Sequence, residues 1–237
     1  VVIRALQRAL YRDQTKTSGH PRHYPLRRIT NAILYVLKTG SPWRQLPHDL
    51  PPWKTVYHPF RRWQKRGVLA QIRDALKTGA GAGGQRGAQV SCGGQSACTV
   101  PCKGGARGYD GGKQIKGRKR HLVVDWQGRV LGVWVSPADK SDARGVLEQV
   151  LRRYPSVQMV IADGVYDKES LLEWLWSEFG VALDCVWRAG TGFVVLAGRW
   201  WVERRLAWLL GCCRLSRCDE GLCEVEACWI EWSCVRW

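Results

Sequence analysis

Met159-Val-Ile-Ala-Asp-Gly-Val-Tyr166, read with Arg199-Trp-Trp-Val-Glu203, decides how this chain folds. An apolar run that ends on Asp163 reads as a buried strand, and open α/β sheets build their sites at the carboxyl ends of such strands. A later helix returns a second carboxylate, Glu203. Asp163 and Glu203 are therefore the first candidate catalytic residues. The same residues also have plainer roles, because Asp-Gly after a strand is common turn chemistry and a Glu among arginines is usually a surface ion-pair partner. Their context has to separate the two.

Outward from that stretch, residues 168–179 have helical spacing, residues 181–186 read as a strand and residues 199–210 as a helix. On the other side, residues 113–125 end in a strand, residues 126–129 turn, and residues 130–135 return as its hairpin partner. Residues 141–153 carry a helix cap and then Val146, Leu147, Val150 and Leu151 at helical spacing. A hairpin followed by alternating helices and strands predicts a mixed sheet with helices on both faces.

The front of the chain is different. Residues 27–38 place Ile29, Ile33, Leu34 and Leu37 at helical spacing, with Gly40 as the stop. Residues 43–46 read as a short helix, and another begins near Pro52 with Val56, Phe60 and Trp63 on one face. Arg61, Arg62, Lys65 and Arg66 lie around the other side, the layout of a helix-turn-helix DNA reader. Pro59 opposes that helix, at about 3 kcal/mol for a helix interior. Residues 79–108, rich in Gly and Cys and lacking periodicity, read as a linker.

Charge divides along the same lines. Residues 1–78 hold 16 Lys and Arg against 3 Asp and Glu, residues 79–137 hold 9 against 2, and residues 138–237 hold 12 against 15. A basic front before a mildly acidic back fits a polyanion-binding part joined to a part that concentrates carboxylates. The chain has no run of about 18 apolar residues that could span a membrane. Its first residues are too short and too charged for a secretory signal. Without an initiator Met, a truncated front is expected. Ten cysteines at irregular spacing, with no Cys-x-x-Cys pair, support neither a disulfide scaffold nor a zinc ribbon and read as reduced thiols. His20 and His23 lie among Gly19, Pro21 and Pro25, so a solvated loop accounts for them better than a metal pair does.

Several motifs carry a resemblance: residues 19–27, 31–40, 43–49, 52–57, Arg107-Gly-Tyr-Asp-Gly-Gly-Lys113, Lys116-Gly-Arg-Lys-Arg-His121 and Ile161-Ala-Asp-Gly-Val-Tyr166. In this order they resemble bacterial transposases of the insertion-sequence-five family, over about five-sixths of the chain. The resemblance implies an α/β catalytic domain with a ribonuclease-H-like mixed sheet and flanking helices at residues 109–237. It implies a small all-α, helix-turn-helix-like DNA-binding domain before it, at residues 1–78. Residues 79–108 are then a linker or a degraded first strand.

In that family an Asp-Asp-Glu triad holds Mg2+ (or Mn2+), which activates the nucleophile and stabilises the leaving oxygen of in-line displacement. Asp163 becomes the second acid and Glu203 the third, both as metal ligands, with Arg199 four residues before Glu203 holding a phosphate or orienting it. Leu196 and Leu210 stand where the family carries Tyr and Lys. The departure is at the first acid, where Gly93 stands in place of Asp. Asp110 and Asp125 are the alternative carboxylates, and a zinc site among the later cysteines is an alternative metal centre.

The resemblance implies a DNA transposase, a polynucleotidyl transferase impaired by the missing acid. The alternative is a transposase-derived protein that binds DNA without cutting it. Expected partners are double-stranded DNA, at transposon ends and target, and a second copy in a synaptic homodimer. Arg61, Arg62, Lys65, Arg66, Lys113, Lys116, Arg118, Lys119 and Arg120 are the expected DNA contacts, in a bacterial cytoplasm at the nucleoid.

Overall fold

In chain order, the computed structural model has helix α1 (Leu26–Thr39), a 3-10 turn (Trp43–Gln45), α2 (Trp53–Lys65) and α3 (Val68–Thr78). Then follow β1 (Ala88–Ala97), β2 (Gly108–Asp110), β3 (Ile115–Asp125), β4 (Val130–Pro137), α4 (Arg144–Arg153), β5 (Val157–Asp163), a 3-10 turn (Gly164–Tyr166) and α5 (Glu169–Phe179). The chain ends with β6 (Ala182–Val186), α6 (Trp200–Leu209), α7 (Cys213–Ser216) and α8 (Cys223–Arg236). The structure describes residues 4, 23–78, 88–97, 105–111, 114–139, 143–187, 198–216 and 219–236. His20, Cys98, Cys102, Lys113, Leu196 and Cys218 lie outside them.

The contacts divide the chain into two units. One is helical. In α1 the apolar spacing buries Ile29, Ala32, Ile33, Val36 and Leu37 on one face. Gly40 ends it at φ +71°, its N–H bonding Val36 O at 2.9 Å, a left-handed closure that glycine adopts without a Cβ penalty. Helix α2 runs straight through Pro59. The burial of Val56, Phe60 and Trp63 on its inner face, at about 2 kcal/mol each, offsets the proline's cost.

This unit also takes in residues 211–216 and 224–237, which the sequence reading had assigned to a domain running from 109 to 237. The reason is in α8, whose Trp229 stacks on Phe60 at 4.5 Å and on Trp43 at 5.5 Å. Trp232 meets Trp63 at 6.2 Å, and Arg73 pairs with Glu231 at 3.0 Å.

The other unit is a curled mixed sheet. Strand β1 is central: it pairs antiparallel with β3 and parallel with β5. Strand β4 continues the antiparallel side beyond β3, and β6 continues the parallel side beyond β5. The order β4-β3-β1-β5-β6, three antiparallel strands and then two parallel ones, is the ribonuclease-H-like arrangement. Short β2 extends the edge beside the start of β3. Residues 88–97, read as linker or degraded strand, are a strand because two apolar strands supply hydrogen-bond partners on both sides.

Alternation gives the sheet two faces. One carries Val90, Cys92, Val123, Val160 and Ala162 into a core closed by Val146, Leu147 and Val150 of α4 and by Leu171 and Leu175 of α5. Burial there pushes the Cys92 thiol up to about 12. An unfolded thiol ionises near 8.5, so below that pH neither state is ionised and Cys92 makes stability no more or less dependent on pH. Between about pH 8.5 and 12 only the unfolded state releases the proton, and stability falls by about 1.4 kcal/mol per pH unit. Urea titrations at several alkaline pH values should show that slope, and Cys92→Ala should flatten it. An equal slope in both proteins would place the titration elsewhere.

Candidate active site

The opposite face holds the carboxylates. Ile161 and Asp163 alternate away from Val160 and Ala162, and parallel pairing sets Ser91 beside Ile161. Two residues further along each strand, past the end of that pairing, alternation puts Gly93 and Asp163 on the same face. Helix α6 covers them. A Cβ on Gly93 would lie 2.9 Å from Val202 Cγ1 and 3.0 Å from Cγ2, so the valine occupies the space a side chain at 93 would need.

Just before α6, Gly198 has φ +83°, and a Cβ there would come within 2.8 Å of Ile161 Cδ1. Both conditions call for glycine. Ser91 Oγ donates to the Gly198 carbonyl, tying the start of the helix to β1. The backbone entering α6 is thereby held against the sheet, and Arg199 starts the helix directly beside Asp163.

Arg199 links the two acids. Its Nη2 donates to Asp163 Oδ2 at 3.1 Å and to Glu203 Oε1 at 2.8 Å. Its side chain is 10% exposed, against 43% for Asp163 and 41% for Glu203. A planar guanidinium matches carboxylate geometry and keeps its charge at any relevant pH. Asp163, 36 positions before Arg199, thus joins the Arg199–Glu203 pair of one helical turn in a single cluster of net charge −1.

The alternatives for the first acid lie elsewhere. Asp125 caps the β3–β4 turn: its Oδ1 accepts from the Gln127 and Arg129 N–H groups at 3.0 and 2.8 Å, and its Oδ2 pairs with Arg129 at 2.7 Å. It is paired with Val90, on the face opposite Asp163. Asp110 is on β2, 3.7 Å from Lys119 Nζ. Among the described residues no group of three His, Cys, Asp or Glu side chains could hold a metal, neither here nor among the later cysteines. A donor set of two carboxylates already bonded to an arginine does not fit the two-metal centre that the sequence resemblance implies.

The expected DNA contacts separate by exposure. Arg62, Lys65 and Arg66 are exposed on α2, Arg61 is half-buried, and Lys116 is exposed at the start of β3. Arg118 and Arg120 are corrections: both are buried, at 0% and 2% exposure. They lie on the sheet face that also carries Gly93, and Arg118 spends its guanidinium on the carbonyls of Ala106 and Gly221, each at 2.9 Å. Lys119 is half-buried and paired with Asp110. Leu210, in the place of the family's Lys, is exposed.

Sequence reasoning overlooked a buried polar link behind the site. His121 Nδ1 lies 3.1 Å from the Tyr166 hydroxyl and Nε2 lies 3.1 Å from Ser136 Oγ, all three residues being buried. This ties β3 to the turn that follows Asp163. Both His121 and Tyr166 sit inside motifs already singled out, so their types were visible and only their pairing was not. Trp187, exposed, lies over Gly164, where an added Cβ would be 2.7 Å from its ring. Burial, and then the charges of Asp167, Asp184 and Asp163, push the Cys185 thiol up to about 11, so it stays protonated at neutral pH.

Residues 4–73 match a family model described as "Putative transposase of IS4/5 family", and residues 78–183 match one described as "Transposase DDE domain". A comparison with curated proteins finds no match. Among solved structures, the chain is similar to the Mos1 mariner paired end complex with Mn at 12% identity and a TM-score of 0.25, covering 76% of this chain and 65% of that one. It is similar to a pre-cleavage Mos1 transpososome at 12% and 0.24, covering 75% and 64%, and to the Mos1 paired end complex with Mg at 12% and 0.29, covering 90% and 74%. The chain thus spans just under two thirds of the first two. At those TM-scores the likeness carries no argument, and the fold stands on its strand order. Among the described residues no helix is long and apolar enough to cross a membrane. With a front matching one transposase model and a sheet matching another, the chain belongs to the DDE transposases of the IS4/5 family, and so resembles polynucleotidyl transferases.

Proposed function

We propose that this chain is a transposase that retains DNA binding while its strand-cleaving centre is incomplete. The observation that carries this is the Gly93 position: it follows Ser91, the partner of Ile161, on the sheet face of Asp163, it carries no carboxylate, and Val202 fills the space. Removing one member of a group that acts in concert costs orders of magnitude in rate. Asp163 and Glu203 are the two acids that remain, and any residual cleavage depends on them.

DNA binding falls to the helical front, through Arg61, Arg62, Lys65 and Arg66, with Lys116 as a further contact from the sheet unit. Such contacts bind the phosphate backbone and position the protein, while base contacts supply the sequence preference. Transposon ends and target DNA are the proposed ligands, and two copies holding two ends the proposed assembly.

The test pairs two assays on the full chain. Binding to a labelled duplex is followed across salt concentrations, where each lost phosphate contact should lower the log–log slope by about 0.9. The Arg62→Ala, Lys65→Ala, Arg66→Ala triple variant should then show a slope smaller by about 2 to 3. In parallel, supercoiled plasmid is incubated with Mg2+ or Mn2+, and nicking should not exceed that of Asp163→Ala. Robust nicking that disappears in Asp163→Ala would show the centre to be complete by some other route. Salt-insensitive binding would remove the DNA-binding half of the proposal.

A further inference from the structure

The arrangement around Arg199 says more than that an acid is missing. In a centre built to take divalent cations, the carboxylate oxygens that face each other are the ones the metal needs. Here one guanidinium nitrogen already bonds one oxygen of each acid, at 3.1 and 2.8 Å. The cation that neutralises the pair is part of the chain.

We propose that Arg199 is the resident counter-ion of Asp163 and Glu203 and keeps the pair closed to divalent cations. This deepens the function proposed above and rests on its assignment of those two residues as the remaining acids. Displacing Arg199 is costly because its side chain is 10% exposed, so little water can take over its bonds. The incoming ion must also shed part of a hydration shell that Mg2+ gives up reluctantly. In return it gains two carboxylates where a third would stand if position 93 were acidic. The helix geometry secures the arrangement, since Arg199 and Glu203 are one turn apart and Ser91 anchors the preceding residue. Arg199 acts here as a lock on the acids, a role distinct from holding substrate phosphate.

The test uses Mn2+ binding, read as loss of the free-ion signal in electron paramagnetic resonance, on the full chain without DNA. The parent protein should bind no more Mn2+ than Asp163→Asn does. Arg199→Gln, which keeps polarity and removes the charge, should gain a site at least tenfold tighter, and adding Asp163→Asn should abolish it. Parent protein that binds Mn2+ in an Asp163-dependent way overturns the proposal. So does an Arg199→Gln variant with a native circular dichroism spectrum and no gained site. Should Arg199→Gln fail to fold, Arg199→Met, which also removes the charge, takes its place in the same comparison. Failure of DNA binding in the earlier assay leaves this measurement untouched, so the two can fail separately.

Discussion

Gly93→Asp on its own is expected to lower the melting temperature by about 6 to 12 °C, and Gly93→Asp combined with Val202→Ala to recover most of that loss. The effect begins with space. A Cβ at 93 would sit 2.9 and 3.0 Å from the two methyl groups of Val202, which is itself 2% exposed. Forcing atoms into such a contact costs about 1 to 3 kcal/mol. A carboxylate beside Asp163 adds the cost of placing like charge in a covered position. A total of about 3 kcal/mol corresponds to the stated shift for a chain of this size. Val202→Ala removes both methyl groups in question, so the double variant keeps only the charge term. Differential scanning calorimetry on the four proteins of the cycle measures the coupling, and a single variant within 2 °C of the parent would mean that the Val202 contact is slack.

Trp229→Ala is expected to cost the helical unit about 3 to 5 kcal/mol, the range for truncating a buried aromatic. Trp229 has no exposed surface and stacks on both Phe60 and Trp43, with Arg214 5.7 Å above its ring. Its loss opens a cavity among side chains contributed by three separate stretches of sequence, so no local collapse can refill it. Chemical denaturation should show the destabilisation. Because α2 also carries Arg62, Lys65 and Arg66, duplex binding should weaken in the same variant. A loss below 1 kcal/mol would show that the ring stack is not what holds this unit together.

How much of this was legible follows from the kind of signal each part carries. The strand ending on Asp163 and the helix bearing Glu203 announce themselves by local periodicity, and so do α1, α2 and α4. Strand β1 does not, because Gly93 and Gly94 carry no pattern. It is a strand owing to its neighbours, whose hydrogen bonds it completes on both sides. Arg118 and Arg120 looked like a DNA-facing run because charge normally marks an exposed surface. From Gly117 onward β3 is buried on both faces apart from half-buried Lys119, and these two lie inside it. The tail shows no apolar stripe that would place it in a particular core, yet Trp229 and Trp232 are fully buried. Gly93 was recognised as a missing acid from sequence, but Val202 filling its place and Arg199 joining the remaining acids are contacts across the fold that no local pattern encodes.

The helical unit is assembled from both ends of the chain, and this bears on how the protein comes to be made. Arg73 and its partner Glu231 are 158 positions apart. At about 5 to 20 residues per second, roughly 10 to 30 s separate their emergence from the ribosome. Through that interval α1, α2 and α3 have been synthesised, but the surface meant for Trp229 and Trp232 stays open. The front helices therefore wait, apolar side exposed, while the sheet unit is being translated. A nascent chain in this state is a substrate for chaperones and for adventitious association. Ribosomes that stop before residue 229 release front helices that lack the Trp229 and Trp232 contacts.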